Sequence, residues 1–219
     1  MATSTAYRLG HRDCLDDRVP DRWTLLLPVR LSAPKGRLAS LNHAARSALA
    51  VAMARDVVNA AQDCPVIGEV IIVGDAAAAE AFADLPCVID ASIGLNAELA
   101  AVAAGRSRVA VLLPDVPAVT ATDIDWALKV GVQSLRAFVA DAEGVGTTLL
   151  MTHRGDELNP QFGARSCAAH AVSGAQPIAD DVPGRLARLR RDVDDEIGLW
   201  DAARLGVGSH TTRLLSPQK

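Results

Sequence analysis

Two rhythms of apolar and polar residues alternate along the chain. Short, nearly unbroken apolar runs rich in Val, Leu and Ile occur at 23–29, 68–74, 87–89, 108–113 and 137–140. Runs of this kind mark strands buried on both faces of a parallel sheet. Between them, apolar residues recur every three or four positions. In 41–62 the residues Leu41, Ala44, Ala45, Ala48, Leu49, Ala52, Met53, Val57, Ala60 and Ala61 share one face, which predicts a long amphipathic helix lying on a sheet. Asp75 opens a shorter helix over 76–83. Gly94 is a hinge into a helix that Asn96 is placed to cap. Thr122, with acids in the turn behind it, has the chemistry of another helix start. Up to residue 140 the pattern is β-α-β-α-β-α-β-α-β, an α/β chain with a doubly wound sheet.

Beyond residue 140 the rhythm changes. A glycine turn at 144–146 leads into a strand ending near Thr152, then a loop over 159–163 and a short helical pattern over 165–173. The segment 191–196 starts a final helix that stops near Gly206. Residues 1–22 are polar, charged and aperiodic and read as a mobile leader; 209–219 read as a loose tail. One domain over 23–208 remains, with no internal repeat and no linker.

Composition narrows the function. The formal charge is −4 and no basic stripe with interleaved aromatics is present, which argues against nucleic acid as a partner. Aromatic residues are only 3% of the chain, so Val, Leu and Ala must build the core. Cys14, Cys64, Cys87 and Cys167 are scattered without a C-x-x-C pair; neither zinc nor a disulfide scaffold is expected, and reduced cytoplasmic thiols are. No apolar run is long enough to span a bilayer and no signal-peptide core is visible, so no membrane partner is expected and the location reads as cytoplasmic.

Candidate chemistry gathers where strands end. Arg30, Lys35, Gly36 and Arg37 follow the first strand and precede the long helix. A basic loop at the carboxyl edge of an α/β sheet suits a triphosphate, although no P-loop is present; an ordinary solvated connection is the alternative. Asp115 stands just past the fourth strand. Asp192 and Asp194, two apart, share a face about 7 Å apart in an extended segment rising about 3.3 Å per residue. Carboxylates gathered across a cleft repel one another, and a hard divalent cation such as Mg²⁺ is the usual remedy; turn and cap roles are the alternatives. Thr147 or Thr148 after the glycine turn, Gly163, and Ser166 at a helix start offer hydroxyls and amides to a small phosphorylated acid. Two simple turns would account for the same residues. Gly94 and Asn96 sit at the same edge, where helix capping is the ordinary role of Asn96. His153 and His170 read as structural.

Taken in order, these residues form a pattern: Pro-Val-Arg (28–30), Pro-Lys-Gly-Arg-Leu (34–38), Gly-Leu-Asn-Ala-Glu-Leu (94–99), Pro-Asp-Val-Pro-Ala (114–118), Gly-Val-Gly-Thr-Thr-Leu-Leu (144–150), Pro-Gln-Phe-Gly-Ala-Arg-Ser followed by His170, Ser-Gly-Ala (173–175) and Arg-Asp-Val-Asp (191–194). It resembles the 2-phospho-L-lactate or phosphoenolpyruvate guanylyltransferases of coenzyme F-420 biosynthesis, over residues 24–208. The resemblance implies a single-domain, Rossmann-like mixed sheet of the nucleotide-diphospho-sugar transferase (glycosyltransferase-A-like) type. It also implies a GMP transfer from GTP to a three-carbon phospho-acid, with release of diphosphate. Lys35 and Arg37 would act on the phosphates of GTP, with Arg30, Gly94 and Asn96 around the nucleotide. Asp115, Asp192 and Asp194 would hold Mg²⁺, and Thr147, Gly163 and Ser166 the acid, phosphoenolpyruvate being favoured. A downstream transferase that consumes the product would be a partner. Arg30, Gly36, Pro114 and Asp195 depart from the family's usual residues. The alternatives are another nucleotidyltransferase, of the molybdenum-cofactor guanylyltransferase or cytidylyltransferase type, and a catalytically silent nucleotide-binding paralogue.

Overall fold

The computed structural model describes residues 22–32, 38, 41–89 and 93–216. The expectations for the leader over 1–21, and for Lys35, Gly36 and Arg37, therefore lie outside the described residues. Seven strands form one mixed sheet: β1 (Trp23–Val29), β2 (Ile67–Gly74), β3 (Cys87–Ile89), β4 (Ser107–Leu112), β5 (Arg136–Ala140), β6 (Thr147–Arg154) and β7 (Gln176–Pro177), in the spatial order β3-β2-β1-β4-β6-β5-β7. The first five run the same way, as the buried apolar runs imply. β6 pairs antiparallel with both β4 and β5 and is the one reversed strand among the described residues. It slots between two strands that precede it, so its amino end lies beside the carboxyl ends of its neighbours.

The apolar runs are inaccessible because both faces of the sheet are covered. Leu25 and Leu27 of β1 face one core with Ala54 and Val57 of helix α1 (His43–Gln62), Ala78 of α2 (Ala76–Ala81), and Ile124 and Leu128 of α4 (Ala121–Gly131). Leu26, between them, faces a second core with Leu99 and Ala103 of α3 (Leu95–Ala103), Phe138 and Leu158. Each such side chain, taken fully out of water, contributes about 1.5–3 kcal/mol.

Three expectations change. α3 is capped by Gly94, at φ +97°, with no side-chain cap, so Asn96 does not cap it. The start of α4 is Thr120, not Thr122: its hydroxyl accepts from the Asp123 amide while Asp123 reaches back to the Thr120 amide. That reciprocal pair meets two orphan donors at once, which a cap at Thr122 would not. The helix expected to be last, α7 (Glu196–Leu205, capped by Asp195), is followed by α8 (Ser209–Leu215) where a loose tail was expected. Asp56, buried on α1, accepts from the amides of His210 and Thr211 at 2.9 and 2.8 Å. A carboxylate there satisfies the open amino end of a helix and favours its dipole. α5 (Ser166–Val172) and α6 (Ala187–Arg190) complete the helices of the described residues.

Candidate active site

The carboxyl ends of β1, β2, β4 and β5, the amino end of β6 and the segment 190–194 meet at one edge of the sheet. Val29 and Gly74 close the β1–β2 pair, and a Cβ on Gly74 would run into the Val29 carbonyl oxygen, so glycine is required by this close approach. Asp75 then does two things. It caps α2 through Ala78 N at 2.9 Å, and its other oxygen accepts from Leu31 N, Ser32 N and Ser32 Oγ at 2.7–2.9 Å. Burial opposes its ionisation, but the hydrogen bonds from Ser32, Ala78 and Leu31 outweigh that and hold its carboxyl below the usual range. The start of the loop after β1 is thereby tied to β2.

A cavity of about 270 Å³ opens here, lined by Val29, Arg30 and Leu31 from one side and Leu113, Pro114 and Asp115 from the other, with Leu95 and Met53 closing it. Arg30 donates to Glu98 Oε2 of α3 at 3.0 Å, so part of its charge is already matched by a buried carboxylate. Arg46 of α1 also lines the cavity, and its Nε is buried with no hydrogen-bond partner within the described residues. The sequence reading passed over Arg46. A cation three residues before Leu49 and seven before Met53, on the helix face that packs inward, was the available signal.

Asp115 is buried, and its carbonyl accepts from Val193 N at 2.8 Å. Val193 is fully buried among Leu38, Leu49, Met53 and Ala202. Asp192 and Asp194 flank this buried residue and so lie close to Asp115 in the fold. Both are half-buried. Among the described residues, the one trio of possible metal ligands with atoms all within 4.8 Å of one another is Asp141, Glu143 and Asp192. The expected set Asp115, Asp192 and Asp194 is adjacent in the fold but does not close to that distance. In the closer trio the donors are committed: Asp141 accepts from Val145 N and Gly146 N at 2.8 and 2.5 Å, and Glu143 pairs with Arg191 at 2.9 Å. Arg190 in turn donates to the Asp141 carbonyl. Asp141 is thus the pin of the glycine turn, a role its place three residues before Gly144 signals.

The second half of the site lies beside Asp115. Leu113 N donates to Thr148 O at 2.9 Å, so the amino end of β6 sits next to the end of β4. Neighbouring residues of a strand face opposite ways. Thr147 faces α5, where its Oγ1 lies 2.9 Å from His170 Nδ1, whereas the Thr148 hydroxyl lies 3.5 Å from Val139 O. Of the two threonines, Thr147 therefore shares a neighbourhood with Ser166 and Gly163. Cys167 N donates to Val145 O and Ser166 N to Gly163 O, at 3.1 and 3.2 Å. The first bond joins the two turns, and both use helix-opening amides that had been expected to face an anion. Gly163, at φ +138°, has open space where a side chain would stand. Asn96 is engaged with the loop: its amide donates to Phe162 O at 2.9 Å and accepts from Phe162 N at 2.8 Å. Gly94, next to it, is exposed at the mouth of the same edge.

The fold is one shared with nucleotidyltransferases. A nucleotidyl transferase from Methanothermobacter thermautotrophicus has the same fold, with a TM-score of 0.59 at 15% identity over 85% of this chain and 98% of that one. A Mycobacterium tuberculosis protein crystallised as a complex with manganese matches at a TM-score of 0.50 and 18% identity, over 78% and 99% of the two chains. A phosphoenolpyruvate guanylyltransferase from Salinispora arenicola is 41% identical over 208 residues, covering 88% of this chain and 92% of its own. The family model described as guanylyl transferase CofC like matches residues 23–176, and the chain belongs to that family. No helix among the described residues is long and apolar enough to cross a membrane.

Proposed function

We propose that this chain transfers GMP from GTP to phosphoenolpyruvate, releasing diphosphate, as a step in making coenzyme F-420. The observation that carries the reading is the Val193–Asp115 hydrogen bond, because it brings the Asp-Val-Asp segment against the aspartate at the mouth of the cavity. The match to a phosphoenolpyruvate guanylyltransferase supports the choice of acid. The same bond suits a divalent cation: it keeps three carboxylates at one edge of the sheet, further apart than one shared ion would hold them, and hard oxygen donors of this type suit Mg²⁺ or Mn²⁺. A cation bound by Asp115, Asp192 and Asp194 supplies neutralising charge for the phosphates being joined and parted.

GTP occupies the cavity beside Arg30 and Arg46, with Lys35 and Arg37 of the following loop on its phosphates and Gly94 near the base. Thr147, Gly163 and Ser166 hold the acid. A phosphate oxygen of the acid attacks the α-phosphorus of GTP; the bond from that phosphorus to the bridging oxygen breaks, and diphosphate leaves with the electron pair. A phosphate monoester is already largely a dianion at neutral pH, its second pKa being about 6. The attacking oxygen therefore needs no general base, and the residues of the site serve to align two anions and offset their repulsion. The test is diphosphate release measured with GTP and each of phosphoenolpyruvate, 2-phospho-L-lactate and 3-phosphoglycerate. The proposal expects phosphoenolpyruvate to give the highest kcat/KM, and a preference for another acid overturns that assignment.

A further inference from the structure

We infer that His170 is a positioning residue for the phospho-acid, aiming the Thr147 hydroxyl hydrogen and fixing the loop that carries Gly163. The inference rests on the proposed acid site at Thr147, Gly163 and Ser166. His170 is fully buried in α5, and both ring nitrogens are engaged. Gln161 N lies 2.9 Å from Nε2. A backbone amide can only donate, so Nε2 must offer a lone pair and carries no proton. In a neutral ring the proton then sits on Nδ1. Nδ1 is 2.9 Å from Thr147 Oγ1, so the ring donates and the hydroxyl oxygen accepts. The hydroxyl's own hydrogen is left to be donated elsewhere. An unconstrained threonine hydroxyl rotates to suit any neighbour; this one is committed as a donor toward an anion.

Burial, reinforced by the nearby Arg136 charge, pushes the His170 pKa down to about 4, so the neutral ring that this tautomer needs persists at neutral pH. The ring stands edge-on to Phe162 at 5.1 Å and tilted to Phe138 at 5.9 Å, which leaves it little freedom to turn over. Around it the loop is gripped at successive points: Arg136 donates to the carbonyls of Leu158 and Asn159, His170 accepts from Gln161, and Asn96 clamps Phe162. Gly163 comes next in the chain. With both nitrogens occupied and no exposed edge, His170 is no candidate for general base or nucleophile. Its contribution is to spare the acid the ordering of a hydroxyl and a loop at the moment of binding.

The experiment has a kinetic arm and a spectroscopic arm. In the first, KM values for phosphoenolpyruvate and for GTP are measured separately with Mg²⁺ for Thr147→Val, His170→Phe and His170→Asn. Asn keeps a donor near the Nδ1 position but does not reach Gln161. Expected are a tenfold or greater rise in the acid KM for Thr147→Val and His170→Phe, a smaller rise for His170→Asn, and a GTP KM within twofold throughout. If Thr147→Val leaves the acid KM unchanged, the acid-site reading itself fails and this inference with it. If Thr147→Val raises it but His170→Phe does not, only the role of His170 is overturned; equal rises in both KM values would mark His170 as merely structural and overturn it too. The second arm needs no variant to fold: ¹⁵N NMR of the ring in the wild-type protein should show the Nδ1–H tautomer, unchanged from pH 6 to 8. The Nε2–H form, or a ring that titrates in that range, overturns the inference.

Discussion

Val193 anchors the segment that carries two carboxylates. Its side chain is fully buried in a small core between α1 and α7 and its amide is bound to Asp115, so Asp192 and Asp194 flank a residue held against Asp115. Asp115→Asn, Asp192→Asn and Asp194→Asn should each lower kcat by about 10²-fold or more, the scale of losing one fixed group that stabilises transition-state charge. Their melting temperatures should stay near that of the wild type, since Asn keeps the shape of each side chain. Near-normal turnover of all three at limiting Mg²⁺ would remove the metal assignment. Asn96 gives a second prediction. A side chain that clamps Phe162 through both of its polar atoms supports the acid loop, so Asn96→Ser should raise the phosphoenolpyruvate KM severalfold and leave the GTP-over-ATP ratio unchanged. Kinetics with the two nucleotides side by side would check it, and a collapsed GTP preference would return Asn96 to base reading.

Among the elements, the buried parallel strands were legible because continuous apolar runs have few other uses. α1 was legible through its period, and α2 and α3 through the aspartate and the glycine at their starts. α8 was not. Its anchor is Asp56, some 150 positions earlier in the chain, and no local pattern in Ser209–Leu215 announces it. An acid on the inward face of α1, beside Met53 and Val57, was the only sign that some later segment must bring donors to it. Asp56→Ala should therefore release α8. Leaving the buried Thr211 amide without an acceptor costs about 1–3 kcal/mol, the half-buried His210 amide less, and about 2–4 °C of melting temperature is lost per kcal/mol in a chain of this size. Hydrogen exchange should show the amides of Ser209–Leu215 losing protection while those of β1 keep theirs; intact protection would mean α8 is held by its apolar contacts alone.

At the scale of the whole molecule, the sequence implied five strands running one way but not that β6 would enter between β4 and β5. That reversal brings Thr148 beside Leu113, two residues before Asp115, and it depends on pairings such as Leu112 with Leu149 that no window of sequence contains. The candidate residues and their grouping could be read along the chain, but the contact of His170 behind Thr147 could not. The buried imidazole has a consequence for the molecule's acid stability. Its folded pKa of about 4 lies below the ordinary 6.5, so the unfolded chain binds the proton first as pH falls. Stability from this group is full above about pH 6.5 and is lost progressively down to about pH 4, by up to about 3 kcal/mol at roughly 1.4 kcal/mol per unit. Urea unfolding across that window should show the decline, and His170→Phe, where folded, should flatten it.

The central claim is tested most directly by following the phosphorus. Purified protein, GTP, Mg²⁺ and phosphoenolpyruvate are incubated together and ³¹P NMR is recorded, with parallel samples lacking the acid or the metal. The account predicts free diphosphate and an equal amount of a new diphosphate-bridged GMP ester, formed only when both acid and metal are present. Diphosphate released without the acid, or no bridged product with phosphoenolpyruvate, 2-phospho-L-lactate or 3-phosphoglycerate, would contradict it.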